Sequence, residues 1–379
     1  MTAKFPKKII ITGGHLTPAL AVIDELAKNN QWEIIFFGRK YASEREKTLS
    51  VELQLIREKG VRFIALTAGR FPRLMNRYTF LSALKLPIGF FQALYYLLKI
   101  KPQVILSFGG YLSVPVVFWG WILRVPSLTH EQTTVKSLAS KINSLFVKKV
   151  AVSWPQSVKD YSSQKVVLTG NPLRGDIFKS RQKYWQILNF PQDLPLIFVT
   201  GGNQGAHAIN LAIEEKLPQL LQKAILFHQC GHLESLGDFE RLEKARERLP
   251  LALKKRYHVK KYLSGQEMGT FLQKADLIVS RSGANTLTEI AALGKPALFI
   301  PMPWNYKNEQ LKNAQLLEKI GLAEILIQDG FHLSSQDLLK TVEKMIKNIK
   351  TYEKKGLEAK KLVKLDAAQR IVRQIEDLV

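Results

Sequence analysis

Residues 277–301 read LIVSRSGANTLTEIAALGKPALFIP. The apolar triplet Leu277-Ile278-Val279 runs into Ser280-Arg281-Ser282-Gly283. An amphipathic stretch covers 285–293, and Gly294-Lys295-Pro296 divides it from a second apolar run at 297–300. This spacing predicts strand, tight turn, helix, glycine stop and buried strand. Such an order is half of a parallel unit and sets the fold class as α/β.

The turn places small residues, Ser282, Gly283 and Ala284, at a helix start. There the free backbone N–H groups and the positive end of the helix dipole make an anion site. Glu289 follows Asn285 and Thr286 by about one helical turn, where its carboxylate can accept hydrogen bonds from a ribose diol. Phosphate at the helix tip and diol at the carboxylate together describe a nucleotide. The same residues also suit a plain helix end, with Ser282 and Asn285 as capping side chains and Glu289 in solvent.

Two further passages share one design. IIITGGHLTPALAVI, from residue 9, and IFVTGGNQGAHAINL, from residue 197, each give an apolar strand, Thr-Gly-Gly, a short loop and a helix. Each half therefore opens a doubly wound parallel-sheet domain, with ligand expected at the carboxyl ends of the strands, in the cleft between the halves. Neither loop is GxGxxG and no GxxxxGK[ST] occurs, so neither a dinucleotide fingerprint nor a P-loop is supported. Glycine here suits either close backbone approach to a sugar or phosphate or a tight turn without ligand.

The chain has 379 residues, 46% of them hydrophobic, enough for two ordinary domains with full cores. Cys230 is the single cysteine, so no internal disulfide is possible. The opening MTAKFPKKIIITGG runs straight into a strand without an apolar signal region, which predicts a cytoplasmic chain. The net charge of +24 asks for an anionic partner or reflects a lysine-rich solvated surface. Its dispersion, with no helix-turn-helix, zinc or RNA-binding pattern, argues against nucleic acid as the partner.

Between the two loops, residues 70–101 set Arg70, Arg73, Arg77 and Lys85 before a Phe-, Tyr- and Leu-rich run at 86–98. That run is shorter than the roughly 20 residues of a membrane span. It reads either as a buried crossover helix or as a surface resting on anionic lipid. The strand 104–107 leads into Phe108-Gly109-Gly110-Tyr111. A short buried strand at 126–128 is expected to deliver the polar cluster Thr129-His130-Glu131-Gln132 directly after it. Residues 166–168 end in Thr169-Gly170-Asn171-Pro172-Leu173-Arg174, where Asn-Pro marks a turn that holds Arg174 at the strand end. The domain boundary is expected at 173/174, with a linker across 174–195. A Lys-rich helical segment, 338–379, closes the chain, and its last stretch, 367–379, is expected to pack back on the first domain.

In this order and spacing, Thr12-Gly13-Gly14-His15, Gly109-Gly110-Tyr111, His130-Glu131-Gln132, Gly170-Asn171-Pro172-Leu173-Arg174, Gly201-Gly202-Asn203-Gln204-Gly205-Ala206 and Arg281-Ser282-Gly283-Ala284 with Glu289 resemble the MurG family, the peptidoglycan glycosyltransferases that make lipid II. The resemblance implies a GT-B fold of two Rossmann-like domains. The first, 1–173, would take an undecaprenyl-linked acceptor, lipid I, and the second, 174–366, would hold UDP-N-acetylglucosamine. It implies peripheral attachment to the cytoplasmic face of the cell membrane, an anionic lipid surface and cell-wall synthesis proteins as partners, and no cofactor. By matching motifs, Thr12, Gly13, Gly14, Arg174, Asn203, Leu263, Ala284, Asn285, Thr286, Leu287, Thr288, Glu289 and Gln310 would touch the donor. Tyr111, His130 and Thr133 would line the acceptor side, with His15 and Glu131 as the catalytic pair.

The chain departs from the family at several points. Ile10 and Ile11 stand where two further glycines are usual, Thr133 where Asn is usual, Asn203 where Ser is common, and Glu309 stands beside the family's sugar-reading Gln, before Gln310. A carboxylate accepts from sugar hydroxyls but cannot donate to them. The implied chemistry is an inverting displacement at the anomeric carbon, with His15 as base and Glu131 as its substitute. The amides of 282–285, with Arg174, would stabilise the leaving diphosphate. No Asp-x-Asp motif occurs, so the expected reaction needs no metal. A sister transferase with another sugar or lipid acceptor, a UDP-N-acetylglucosamine 2-epimerase and a non-enzymatic basic binding protein are the rival readings.

Overall fold

The computed structural model describes residues 6–41, 49–67, 77–179, 190 and 193–379, with backbone alone for 77–86 and 234. Two compact units divide the chain: Met1–Arg174 with Lys364–Val379, and Gly175–Val363.

The first unit alternates β1 (Lys7–Thr12), α1 (Leu16–Leu26), β2 (Trp32–Gly38), α2 (Val51–Glu58), β3 (Arg62–Ala65), α3 (Arg77–Ile100), β4 (Val104–Ser107), α4 (Ser113–Ile122), β5 (Ser127–Glu131), α5 (Leu138–Phe146), β6 (Lys149–Val152) and β7 (Val166–Leu168). Among the described residues its sheet has seven strands, all parallel, in the order β3-β2-β1-β4-β5-β6-β7. A parallel sheet with helices on both faces needs strands that are apolar on both sides. Ile9 and Ile11 lie on one face with Leu20, Val22 and Ile23 of α1, while Ile10 lies on the other with Phe37, Leu97 and Val116. The strand order reverses between β1 and β4, which opens a crevice at their carboxyl ends.

The second unit carries β8 (Leu196–Thr200), α6 (His207–Glu215), α7 (Leu217–Lys223), β9 (Ile225–Gln229), α8 (Asp238–Glu247), α9 (Leu251–Lys254), β10 (Tyr257–Lys260), α10 (Gly265–Lys274), β11 (Leu277–Ser280), α11 (Ala284–Leu293), β12 (Ala297–Phe299), α12 (Glu309–Glu318), β13 (Ala323–Ile325), α13 (Ser335–Lys347), α14 (Ile349–Glu353) and α15 (Gly356–Leu362). Its parallel sheet runs β10-β9-β8-β11-β12-β13, with the reversal between β8 and β11. The glycine stop behaves as its sequence demands. Gly294 is left-handed at φ 67°, its N–H donates to Ala291 O at 3.1 Å, and Lys295 N donates to Ile290 O at 3.1 Å.

α16 (Ala367–Glu376) returns to the first unit, where Ile371, Val372 and Ile375 join the core around α1. The Lys-rich segment 338–379 is helical in four pieces, broken at 348, 354–355 and 363–366. A correction concerns β5. Thr129, His130 and Glu131 are not a cluster beyond the strand but its own last three residues, all buried. Pairing with β6 through Thr129, His130 and Glu131, and with β4 as far as Thr129, extends the strand through residues that are polar by sequence.

Candidate active site

In the first unit the β1 and β4 loops meet backbone to backbone. A Cβ on Gly14 would lie 2.4 Å from the Gly109 carbonyl oxygen, and one on Gly110, itself at φ 72°, would lie 3.0 Å from the Gly14 Cα. Only glycine permits this approach. A buried polar cluster holds the β4 loop: Gly109 N donates to Ser107 Oγ at 3.1 Å, Ser113 Oγ to Gly110 O at 2.8 Å, and Asn143 Nδ2 to Ser113 Oγ at 2.8 Å and Ser107 Oγ at 3.2 Å. The sequence reading missed these supports, because residues spaced by 6 and 36 positions show no local pattern.

His15 stands at the N-cap of α1, half-buried, and no side chain caps that helix. Burial lowers its pKa from 6.5, and the Glu131 carboxylate acts in the opposite sense. His130 is fully buried and neutral, with a pKa pushed down to about 4, chiefly by burial. Its Nε2–H donates to Gly170 O at 3.0 Å, which leaves Nδ1 to accept from Gln132 Nε2 at 3.3 Å. Both ring nitrogens are thus used inside the protein. Glu131 is also committed: Oε1 accepts from Thr133 N at 3.3 Å and Thr133 Oγ1 at 3.1 Å, and Oε2 from Ser137 N at 2.9 Å. The Thr133 hydroxyl, 2.6 Å from Val135 O, turns back into its own loop. Tyr111 is half-buried against the core that holds Ile10 and Phe37. The Thr12 hydroxyl, at the end of β1, is buried without a hydrogen-bond partner.

In the second unit the two helices flanking the sheet reversal both begin without a side-chain cap. α6 has Ala206 and α11 has Gly283 at the N-cap. By contrast α10 and α13 begin at Ser264 and Ser334, whose hydroxyls accept from Glu267 N and Asp337 N. Ser282 is therefore no cap: its hydroxyl donates to Gln310 O at 2.8 Å, and Asn313 Nδ2 donates to Ser282 O at 3.2 Å. Those bonds tie α12 to the α11 turn. Gln310 Oε1 in turn accepts from Met302 N at 3.0 Å, fixing the loop after β12. No side chain caps the first turn of α11, and a helix start of that kind is suited to meeting an anion.

Along α11, Ala284, Leu287, Thr288 and Glu289 are buried while Asn285 and Thr286 are half-buried. Leu263 is buried just after β10, and Asn203 is exposed at the tip of the β8 loop. Arg174 closes the first unit. Glu309, on the first turn of α12, is half-buried. Arg281 belongs to the motif but was given no role from sequence. Its NH1 donates to Ile300 O at 2.9 Å, its Nε is buried without a partner, and burial alone lowers its pKa to about 10. It remains a cation at neutral pH, in the turn that leads into α11. Among the described residues no group of three or more His, Cys, Asp or Glu is placed to hold a metal ion.

Residues 10–152 match the glycosyltransferase family 28 N-terminal domain, and residues 196–371 match the C-terminal domain of the same family. The chain belongs to glycosyltransferase family 28. A curated Bacillus cereus relative, 32% identical over 98% of this chain and 99% of its own length, is named UDP-N-acetylglucosamine--N-acetylmuramyl-(pentapeptide) pyrophosphoryl-undecaprenol N-acetylglucosamine transferase 2. The crystal structure of Acinetobacter baumannii MurG shares the fold with a TM-score of 0.70 and 24% identity, covering 98% of this chain and 100% of that one. The UDP-GlcNAc 2-epimerase of Neisseria meningitidis, bound to UDP-GlcNAc, also shares it, with a TM-score of 0.68 and 14% identity over 98% of this chain and 100% of its own. The family 28 chain is therefore a GT-B glycosyltransferase, a hexosyltransferase with two Rossmann-like units.

An apolar face lies apart from these loops. The run at 86–98 belongs to α3, and Ile88, Phe91, Tyr95 and Leu98, spaced three and four residues apart, are all exposed, Phe91 by 62%. Phe118 and Trp121 of α4 and Phe146 of α5 form one ring cluster with Phe90, through centroid distances of 5.4 Å (Phe90–Phe118), 5.4 Å (Phe118–Phe146) and 5.3 Å (Trp121–Phe146). Arg70 and Arg73 lie outside the described residues, as do the side chains of Arg77 and Lys85. No helix among the described residues is long and apolar enough to cross a membrane.

Proposed function

We propose that this chain transfers N-acetylglucosamine from UDP-N-acetylglucosamine to the C4 hydroxyl of the N-acetylmuramyl group of lipid I, giving lipid II for peptidoglycan synthesis. The observation that carries the donor half is α11: a helix at the sheet reversal, its first turn uncapped, with Glu289 buried just over one turn in. Phosphate meets the amides of 284–286, and the ribose diol meets the Glu289 carboxylate. Thr12, Gly13, Gly14, Asn203, Leu263, Arg174 and Gln310 complete the donor set. Asn203 supplies an amide at the phosphate loop, and Gln310 reads the sugar hydroxyls beside Glu309.

The acceptor oxygen forms a bond to the anomeric carbon as the bond from that carbon to the diphosphate oxygen breaks, with inversion. His15 takes the hydroxyl proton. A lowered pKa keeps its imidazole neutral and able to accept at pH 7. Glu131 supports that base electrostatically. Its oxygens are already occupied by Thr133 and Ser137, which suits a positioning carboxylate better than a substitute base. His130 shapes the site from within the sheet. The departing UDP is a good leaving group whose charge is met by the α11 amides and Arg281.

The acceptor is anchored in lipid, and the exposed face of α3 to α5 would rest on the cytoplasmic leaflet with lysines at its edge. The protein works there as a peripheral membrane enzyme, with anionic lipid and cell-wall synthesis proteins as partners. Transfer needs no bound metal. The deciding experiment is transfer of labelled sugar from UDP-N-acetylglucosamine to a short-chain lipid I analogue, with UDP-glucose and diacylglycerol in parallel and a chelator in one arm. Labelled lipid II is the expected product. Reaction with another pair retains the scaffold and moves specificity to Thr133 and Glu309. UDP-N-acetylmannosamine formed without acceptor means an epimerase, and turnover lost to chelator and restored by Mg²⁺ means a metal enzyme.

A further inference from the structure

The donor loop 201–205 has φ of 77° at Gly202 and 84° at Gly205, and a Cβ on Gly201 would lie 2.2 Å from Ala206 N. One bond closes the loop on itself, Gly205 N donating to Gly202 O at 3.0 Å, and a loop so rich in glycine takes the rest of its shape from outside. It is gripped at three points by the neighbouring segment 229–232, which leaves β9.

Gln229 makes the first grip through a relay. Gly202 N donates to Thr200 Oγ1 at 3.1 Å, and Thr200 Oγ1 donates to Gln229 Oε1 at 2.8 Å. Thr200 and Gln229 face each other across the β8–β9 pairing, and both are buried. The second grip is steric: a Cβ on Gly205 would lie 2.0 Å from Cys230 O, and one on Gly231, at φ 99°, would lie 2.2 Å from Gly205 N. The third is His232 N donating to Asn203 O at 3.1 Å. Behind the segment, Asn210 of α6 fixes Cys230 by donating from Nδ2 to Cys230 O at 3.0 Å and to Asp238 Oδ2 at 2.7 Å. Asn210 Oδ1 accepts from His228 Nε2 at 2.9 Å, and His228 Nδ1 accepts from the Tyr257 hydroxyl at 3.0 Å. Both polar atoms of the Asn210 amide are thus occupied, one of them on the segment itself and both on its immediate supports.

We propose that residues 229–232 are the mould of the donor-diphosphate loop, with Thr200 and Gln229 as positioning residues that set its shape before the donor arrives. This rests on the reading of a UDP-sugar donor. A mould of this kind acts on donor and product alike, because both carry the diphosphate, and leaves the proton-transfer chemistry untouched.

The test uses the full chain with Thr200→Val, which keeps shape and removes the hydroxyl, and Thr200→Ser, which restores it. Thr200→Val should weaken UDP binding by calorimetry and raise the donor KM, each about tenfold, with kcat and the acceptor KM within about twofold. Thr200→Ser should stay within about twofold of the parent in every term, and amide hydrogen exchange across 201–205 should quicken in the valine variant alone. UDP affinity unchanged in Thr200→Val, or lost equally in Thr200→Ser, overturns the proposal. Should the valine variant misfold, Gln229→Met, which removes the acceptor of the Thr200 hydroxyl and keeps side-chain length, applies the same test to the same relay, with the same expected split. A parent chain that binds no UDP removes the donor reading and with it the diphosphate half of the proposal, while exchange in the loop still decides whether 229–232 shapes it.

Discussion

Glu131 works against the burial of His15: burial lowers the His15 pKa below 6.5, and the Glu131 carboxylate pushes it back up. The acid limb of kcat/KM against pH should follow His15, because protonation removes the base. Glu131→Gln deletes the charge that raises the pKa, so the limb should move to lower pH. His15→Ala should lose about 10²–10⁴-fold in kcat while UDP affinity holds. A Glu131→Gln enzyme that is inactive at every pH would instead make Glu131 the base.

Glu289 offers a second check by a cycle of protein and ligand. If its buried carboxylate holds the ribose diol, Glu289→Ala and a 2′-deoxyribose donor should each raise the donor KM, by about 10- to 100-fold for hydrogen bonds to a charged group. Applied together they should cost little more than either alone, since the second change removes a bond already lost. Full additivity would place Glu289 away from the ribose.

Burial of neutral histidines gives the protein an acid sensitivity of calculable sign. His130 titrates near 4 and His228 near 3, both pushed down chiefly by burial, one in each unit. The unfolded chain takes up these protons near pH 6.5, before the folded one does, so stability is full above about 6.5 and falls as the pH drops through the window toward 4. The loss from His130 alone is of order 3 kcal/mol. Urea midpoints measured from pH 7.5 to 4.5 should fall accordingly. His130→Gln should start from a lower midpoint and show a shallower slope.

Much of this arrangement is legible in the sequence because it is local. Ile9-Ile10-Ile11 and Leu277-Ile278-Val279 announce strands buried on both faces, and Gly294 announces the end of α11. The polar end of β5 is not legible, because pairing with β6, joined by β4 at Thr129, overrides the turn-like character of Thr129, His130 and Glu131. Ser282 misleads for a related reason: it has the type and place of a cap, but Gln310 O, brought in from α12, competes for its hydroxyl. Arg281 and the 229–232 mould stay silent for want of any local signature. Their roles come from what lies across the sheet, Ile300 in one case and the glycine loop in the other.

The outer face of α3 gives the last prediction. Phe91 and Tyr95 stand one turn apart and exposed, and Lys99 lies 5.7 Å from the Tyr95 ring. A cation held beside an exposed aromatic suits the boundary between acyl chains and anionic headgroups, where ring and charge each meet their preferred surroundings. Replacing both aromatics, Phe91→Ser with Tyr95→Ser, removes apolar area that is mostly in water already and should leave the unfolding free energy within about 1 kcal/mol of the parent. Binding to vesicles of phosphatidylglycerol and phosphatidylcholine should fall at least about tenfold. Raised salt should weaken the parent more on the anionic vesicles than on pure phosphatidylcholine. Activity on a water-soluble acceptor analogue should be unchanged, while activity on vesicle-borne acceptor should fall with binding. Undiminished vesicle binding by the double variant would show that this face does not meet the membrane.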